Sequence, residues 1–140
     1  MNFQIYHHGY IYNQYIFVSF RKKLKIMNFY KLWPWAIHPS TDQNQSIEIR
    51  SPQDFDIPRN EIFTINLGLI LLRIPDNNVI KLLSSAKFKL IVKYWLPSSS
   101  TLEISLVTPT PLHIKKGDIL CHLQLIPIST LLPGKKQNID

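Results

Sequence analysis

The segment Pro111–Ile128 reads PLHIKKGDILCHLQLIPI and predicts a strand, a tight turn and a second strand. Gly117 suits the positive φ that a short hairpin loop with a bulge requires. After the turn, successive side chains alternate between two faces of the strand. One face is apolar and consists of Ile119, Cys121, Leu123 and Leu125. The other face is mixed and consists of Leu120, His122, Gln124 and Ile126. The segment is either a generic β-hairpin or a strand between a core and a second, partly polar surface.

The 140 residues predict one domain with a core that needs no disulfide staples. Cys121 is the single cysteine, and its place on the apolar face indicates a buried thiol rather than a nucleophile. The sequence has no cluster of cysteines and histidines with the spacing of a metal site. We therefore expect no metal and no cofactor. No apolar run reaches the length of a membrane span, and the basic cluster follows the N-terminal apolar run, unlike in a signal peptide. We therefore expect an intracellular protein without membrane contact.

The formal net charge of +7 favours acidic partners. Part of this charge is concentrated in the run RKKLK at residues 21–25, and Lys135 and Lys136 add to it near the end. The sequence carries no recognisable motif that reads bases, so any contact with nucleic acid is expected to be non-specific.

Residues 1–28 are interpreted as an N-terminal extension, because an aromatic, β-prone stretch is followed there by the basic run. Such a stretch needs cover, either from another protein or from its own molecule. Trp33 and Trp35 are either an exposed anchor or a plug under the first loop. The residues predicted to bind a partner are Tyr10, Tyr12, Phe17, Arg21, Lys22, Lys23, Trp33 and Trp35.

Residues 29–130 predict an all-β domain of jelly-roll or distorted-barrel type with little or no helix, followed by a flexible tail at 131–140. Prolines fall between or at the ends of the apolar runs, where a missing N–H costs no ladder hydrogen bond. The candidate strands are Phe29–Leu32, Ser46–Arg50, Ile62–Asn66, Leu69–Arg73, Val79–Leu83, Lys87–Trp95, Leu102–Val107 and Ile119–Pro127.

Several segments, in this order and spacing, resemble trimeric dUTPases. Gln45–Ser51 (QSIEIRS) is similar to the first family motif, A-G-Y-D-L, and Gln53–Pro58 (QDFDIP) to the segment D-x-x-I-P. Phe63–Leu69 (FTINLGL) resembles V-x-T-G-L, and Lys116–Leu123 (KGDILCHL) resembles the fourth motif, G-D-R-I-A-Q-L. The resemblance implies the jelly-roll fold and a homotrimer in which Leu120, His122, Gln124 and Ile126 face the threefold axis.

The resemblance also implies that the catalytic groups are missing. Trp95 falls near the position of the family's catalytic aspartate and Ser98 near that of the sugar-stacking tyrosine, and no carboxylate occurs in Lys87–Ser100. The phosphate-binding arginine and the Gly-rich C-terminal motif also have no counterpart. The residues assigned to a vestigial nucleotide site are Glu48, Ser84, Ser85, Lys87, Trp95 and Ser98.

These departures are similar to those of the adenoviral early-region proteins that derive from dUTPases. They predict a non-catalytic viral protein that works as an interaction or structural scaffold and binds a host or viral protein in the host cytoplasm or nucleus. Two alternatives stay open: a capsid-associated virion component, and a protein that retains dUTP or nucleotide binding. His113 and His122 either meet across the hairpin at a metal or hydrogen-bond at a polar interface.

Overall fold

The structure, a computed structural model, describes residues 2–6, 13–20, 23–41 and 46–131. Its described part is built from strands and one short 3₁₀ helix at Ile128–Leu131. No helix in these ranges is long and apolar enough to span a membrane. The strands are β1 (Asn2–Tyr6), β2 (Asn13–Phe20), β3 (Lys23–Lys31), β4 (Ser40–Thr41), β5 (Ile47–Arg50), β6 (Phe55–Ile57), β7 (Phe63–Asn66), β8 (Leu69–Arg73), β9 (Asn78–Ser84), β10 (Lys89–Leu90), β11 (Tyr94–Trp95), β12 (Glu103–Val107), β13 (Leu112–Ile114) and β14 (Ile119–Pro127).

Four antiparallel sheets share one apolar core. Their strand orders are β1-β2-β3-β8, β10-β12-β7, β11-β9-β14-β5-β4 and β13-β6. The core draws on all four sheets, with Phe29, Ile49, Ile57 and Ile104 among its most buried members. The predicted all-β, jelly-roll-like fold is confirmed, and the apolar runs become strands because short strands of alternating burial cover one core from several sides.

The described parts of the predicted extension, residues 2–6, 13–20 and 23–28, join the first sheet of their own chain. β2 and β3 form an antiparallel pair, and β3 pairs in turn with β8. Ile16 and Met27 lie in the core, and the Gln14 side-chain amide donates to the Pro39 carbonyl. The predicted boundary after residue 28 falls inside β3, and the strand predicted to start at Phe29 begins at Lys23 because its pairing with β2 extends it backwards.

The segment Pro111–Ile128 contains the predicted turn, but its two strands do not pair with each other. Asp118 N–H donates to the Lys115 carbonyl over 3.0 Å, and Gly117 has φ 91°. β13, however, pairs with β6, whereas β14 pairs with β5 and β9. The turn therefore carries the chain from one sheet to another, as jelly rolls do at their corners.

A bulge in β14 changes the predicted faces. The register against β5 shifts between Ile119 and Cys121, so Leu120 is the extra residue. A bulge lets two successive side chains point to the same side. Leu120 and Cys121 are consequently both buried in the core, at 0% and 1% exposure, while Ile119 is exposed. Leu120 therefore does not share a surface with His122, and its assignment to the mixed face was wrong.

The Trp33-Pro34-Trp35 cluster covers the turn at Gly68. The two indoles stack with ring centroids 5.0 Å apart, and both are half-buried. Gly68 has φ 68°, and a Cβ there would approach Trp33 Cε3 to 2.9 Å. Trp35 also packs against the core. Of the two sequence interpretations, this arrangement favours the plug.

Candidate functional site

An open cleft of about 370 Å³ lies between the end of β5, the turn after β9, strand β13 and the turn before β14. Arg50 reaches it from the end of β5, Ser85 and Lys87 from the turn after β9, and Asp118 from the turn before β14. Its remaining lining residues are Phe88, Leu112, His113, Ile114, Gly117 and Ile119. The cleft thus brings the segments that resemble the first and fourth dUTPase motifs together with Ser85 and Lys87, two residues assigned to the vestigial nucleotide site.

Two hydrogen bonds fix the position of the Arg50 side chain in this cleft. Its guanidinium donates to Glu48 Oε1 over 2.8 Å and to the Gly117 carbonyl over 2.8 Å. Glu48 is 6% exposed, so its carboxylate depends on this partner. His122 Nε2 lies 3.7 Å from Glu48 Oε2. The assigned site residue Glu48 therefore serves to orient Arg50, and it does not itself line the cleft.

The turn at the cleft rim is fixed by hydrogen bonds to the loop after β5. Ser51 N–H donates to the Asp118 carbonyl and Gly117 N–H donates to the Ser51 carbonyl, each over 2.8 Å. The Asp118 carboxylate accepts from Lys115 N–H over 2.9 Å, and Asp54 accepts from Lys116 N–H over 2.7 Å. The acidic groups near the rim are thus engaged in shaping the turn.

Ser85 and Lys87 both line the cleft, and their assignment to a nucleotide site stays a prediction. Ser85 Oγ accepts a hydrogen bond from Lys87 N–H over 3.3 Å, which fixes the turn between them. Ser84 is exposed at the end of β9, where it pairs with Cys121, and it is not among the lining residues. Lys87 is exposed and supplies a flexible point charge, in contrast to the tethered fork of Arg50.

Trp95 is a core residue. It is 6% exposed and belongs to the apolar cluster, and its indole N–H donates to the Glu103 carbonyl over 3.3 Å. It pairs with Ile80 across β9, and Ile80 is itself buried. Its assignment to a vestigial nucleotide site was wrong, because alternation along β11 turns its ring inward and leaves Tyr94 outside.

Ser98 is likewise separate from the cleft. Its N–H donates to the Leu71 carbonyl over 3.2 Å, and its Oγ accepts from Ser100 N–H over 3.1 Å. These contacts place it beside the middle of β8, among exposed residues. The structure therefore brings two of the six assigned residues, Ser85 and Lys87, to one cleft and ties Glu48 to it through Arg50.

His113 and His122 have different partners on different sheets. His113 Nδ1 lies 2.6 Å from Asp56 Oδ1 across the β6–β13 pair, and both side chains are largely exposed. His122 lies near Glu48, its cross-strand neighbour. Within the described ranges, no group of three or more histidine, cysteine and acidic side chains is arranged to hold a metal ion.

The remaining trimer residues lie on the outward side of the five-stranded sheet. His122, Gln124 and Ile126 pair with Leu83, Lys81 and Val79 on β9. His122 and Ile126 are half-buried and Gln124 is exposed within the single chain. The predicted trimer contact stays a prediction for these three residues.

The residues predicted to bind a partner are only partly described. Tyr10, Tyr12, Arg21 and Lys22 lie outside the described residues. Phe17 is half-buried on β2, and Lys23 begins β3. Trp33 and Trp35 lie over the turn at Gly68. Their role in binding stays a prediction.

Arg50 and the Gly117 carbonyl were missed by the sequence analysis as parts of one site. The usable signal was the spacing of Glu48 and Arg50, because side chains two apart on a strand lie on the same face and can pair. The contact with Gly117 depends on tertiary structure, since 67 positions separate the two residues.

Comparison with other proteins adds evidence on the fold. No protein-family model matches the chain, and no curated protein matches it either. Solved structures of dUTPases from Staphylococcus phages do match, at 16–17% identity, which shows that the chain has a dUTPase-like fold.

Two of these structures are representative. A variant of the dUTPase from phage phi11 of S. aureus, whose structure concerns the coordination of a structural Mg(II) ion, has a TM-score of 0.61; the match covers 81% of this chain and 97% of that one. The phage 80alpha dUTPase with dUPNHPP has a TM-score of 0.62, covering 81% of this chain and 88% of that one at 16% identity. That enzyme is described as controlling transfer of virulence genes by a G protein-like mechanism.

Proposed function

We propose that this protein uses a dUTPase-like fold without dUTPase activity and acts by binding another protein. The observation that carries the proposal is the burial of Trp95 in a segment, Lys87–Ser100, that has no carboxylate. Attack of water on a phosphate needs a base within hydrogen-bond reach, and an indole accepts no proton. The degenerate viral relatives that the sequence resembles support the same function.

The phage 80alpha dUTPase gives a second line of support, because its fold is linked to control of gene transfer as well as to its nucleotide. A dUTPase-like fold can therefore accompany a regulatory role, which supports the proposed non-catalytic function. The segment Lys87–Ser100 of this chain contains no carboxylate and is rich in apolar residues. Ile91, Val92, Tyr94 and Leu96 are all exposed there, as expected for a contact surface.

The direct test is incubation of the purified protein with dUTP and Mg²⁺, with pyrophosphate release as the readout. We expect no release above the protein-free rate, while a phage dUTPase at the same concentration serves as the positive control. Sustained turnover that persists through repeated purification would overturn the proposal.

The active form is proposed to be a homotrimer in which His122, Gln124 and Ile126 contact one another's subunits. These residues share an outward sheet face, and a half-buried Ile126 beside Gln124 suits such a contact. Mass in solution tests this directly. We expect three chains per particle, and Ile126→Glu should yield monomers, whereas Ile62→Glu, at an exposed apolar residue outside this face, should not.

Nucleotide binding without hydrolysis is a second candidate function, favoured by the cleft that holds Arg50, Ser85 and Lys87. Calorimetry with dUPNHPP tests it. Binding in the micromolar range that is weakened by Lys87→Gln and unaffected by Lys89→Gln would support this candidate. A flat titration would remove it and leave the protein-binding function intact.

A further inference from the structure

The chain crosses from one sheet to another between β10 and β11. On the β10 side, Ile91 N–H donates to the Ser105 carbonyl over 2.8 Å. On the β11 side, the Lys93 carbonyl accepts from Leu82 N–H over 2.8 Å. β10 and β11 are each the last strand of their sheet. The crossing therefore lies at a sheet edge, where backbone groups stay available for pairing with another chain.

The backbone of Tyr94 faces away from its own sheet. In an antiparallel ladder, residue pairs that exchange hydrogen bonds alternate with pairs that do not. Leu82 is bonded to Lys93, so the next pair, Lys81 with Tyr94, is of the second kind. The Tyr94 N–H and C=O accordingly point to the open side of β11, and no hydrogen bond reaches them within the described ranges. An extended peptide could pair with these two groups.

Apolar side chains surround this open edge. Four of the six residues from 91 to 96 are apolar and at least 40% exposed, namely Ile91, Val92, Tyr94 and Leu96. Leu83 is also exposed, and it lies two positions after Lys81 on β9, on the same side of the sheet as Tyr94. A contiguous cluster of exposed apolar side chains is typical of a contact site for another molecule.

The charge around this edge is exclusively positive. Residues 77–102 contain four lysines and no aspartate or glutamate. Lys81 is the cross-strand neighbour of Tyr94, and Lys89 and Lys93 are exposed before and after the crossing. None of these three lysines forms an ion pair with another described residue. The edge therefore attracts carboxylates, whereas a second copy of this chain would bring like charges together.

We propose that the free edge of β11 binds an acidic protein segment in extended conformation, which adds to the sheet as a further strand. This inference rests on the proposed protein-binding function and names the class of partner. The segment pairs with the backbone of Tyr94 and packs apolar side chains on Val92 and Leu96. Its carboxylates lie near Lys89 and Lys93. In this mode of recognition, backbone pairing supplies affinity and alternate side chains supply specificity.

A protein segment fits this edge better than a nucleic acid does. Both would match the positive charge, but only a polypeptide carries N–H and C=O groups at the spacing of a β-strand. The apolar side chains point to the same class, because a phosphate backbone leaves them exposed to water. The predicted trimer contact does not occupy this edge, since β9 separates β11 from β14 in the sheet.

The test is fluorescence anisotropy with the full chain and a labelled peptide of four glutamate-valine repeats. We expect binding about tenfold tighter, or more, than for lysine-valine and glutamate-serine peptides of the same length. Absence of binding, or equal binding of the three peptides, would overturn the proposal. Displacement by oligothymidine as effective as by unlabelled glutamate-valine peptide, at equal charge concentration, would overturn it in favour of a polyanion site.

Methylation of the peptide nitrogens tests strand addition directly. The N–H groups of alternate residues in a strand point to the same edge. Methylating either all valine nitrogens or all glutamate nitrogens therefore removes the donors of one edge only. We expect one methylated peptide to bind about tenfold more weakly or worse, and the other to lose less than about threefold. Equal affinity of the two would contradict pairing with the β11 edge.

Substitutions of Tyr94 separate its backbone from its ring. Tyr94→Pro removes the N–H that faces the open edge, at a position where the sheet itself does not use it, and should weaken binding about tenfold. Tyr94→Ala removes the ring but keeps the N–H, and should cost less than about threefold. Equal losses, with unchanged strand content by circular dichroism, would contradict the proposed role of the backbone.

Two matched comparisons test the side chains. Leu96→Ser, at 58% exposure, should weaken binding about fivefold, whereas Ile62→Ser, at 69% exposure on another element, should change it less than about twofold. Equal losses would show that the cluster around β11 is not the contact.

The charge comparison uses two pairs of exposed lysines. Lys89→Gln with Lys93→Gln should weaken binding about fivefold, and Lys115→Gln with Lys116→Gln less than about twofold. Equal losses would show attraction to the net charge of the whole protein.

A last control concerns another occupant of the edge. Deletion of residues 132–140 should leave the peptide affinity within about twofold. Binding that appears only after this deletion would make the chain's own end the occupant and would overturn the proposal. Pyrophosphate release from dUTP reports separately on the proposed function: turnover together with peptide binding would remove the non-catalytic function alone, and neither turnover nor peptide binding would remove this inference alone.

Discussion

The cleft around Arg50 and the segment Lys89–Ser100 are held in place in different ways within one dUTPase-like fold. In the cleft, Arg50, Glu48 and the Gly117 turn are joined by hydrogen bonds of 2.8 Å. In the segment, two strands of two residues each are joined through the exposed Ile91 and Val92, while Trp95 fills the core. The difference teaches that hydrogen bonds fix the backbone around the cleft, whereas apolar packing of Trp95 fixes the segment Lys89–Ser100.

The largest expected effect comes from Trp95. Trp95→Ala should lower the free energy of unfolding by about 3 to 4 kcal/mol, because it opens a cavity in the core. Chemical denaturation measures this, with Tyr94→Ala on the exposed side of the same strand as the control, expected below about 1 kcal/mol. A small loss at Trp95 would mean that this segment is not part of the packing.

The next effect tests the polar side of the comparison. Arg50→Leu should lower the free energy of unfolding by about 2 kcal/mol, since it leaves the buried Glu48 carboxylate without its hydrogen-bonded partner. Lys87→Leu, which removes an exposed cation from the same cleft, should change it by less than about 0.5 kcal/mol. Adding Glu48→Leu to Arg50→Leu should recover part of the loss, and a further drop would contradict the pairing.

A smaller effect is expected at the turn that closes the cleft. Gly117→Ala should cost about 1 kcal/mol because residue 117 has φ 91°, although a Cβ there meets no atom within 4 Å. Gly117→Asn should cost less, since asparagine adopts positive φ more readily. Thermal unfolding of both variants measures the difference, and equal losses would show that backbone strain is not the cause.

The smallest effect concerns Cys121 and pH. Burial raises the pKa of this thiol from 9.0 to about 12, so the unfolded chain ionises first and the thiol contributes less stability as pH rises above 9. Between pH 8 and 9.5, the unaltered protein should lose about 0.8 kcal/mol more than Cys121→Ala does. Urea unfolding at the two pH values checks this, and equal losses would show that the thiol is not desolvated.

Much of the fold could be predicted because alternation and prolines mark strands locally. Leu69–Arg73 and Ile119–Pro127 have the predicted bounds. The stretch predicted as one strand at Lys87–Trp95 is two short ones, because the chain changes partners from β12 to β9 within it. Pairing partners are a property of the whole fold, and for the same reason β13 was expected beside β14.

The site was harder to predict than the fold. Ser85 and Lys87, which the sequence analysis assigned to one site, both line the cleft, and nucleotide binding there stays a prediction. The bulge that buries Leu120 and the inward turn of Trp95 depend on register, and a shift of one residue reverses which side chains face the core. The bond from Arg50 to Gly117 links distant positions, so no local pattern announces it.

The three tryptophans divide this protein into two optical regions. Trp33 and Trp35 lie face to face and half in water, so their emission reports on the loop above Gly68. Trp95 sits in an apolar environment and should emit at shorter wavelength, reporting on the interior. A ligand that changes the fluorescence at only one of the two emission wavelengths would therefore be assigned to one region, without any added label.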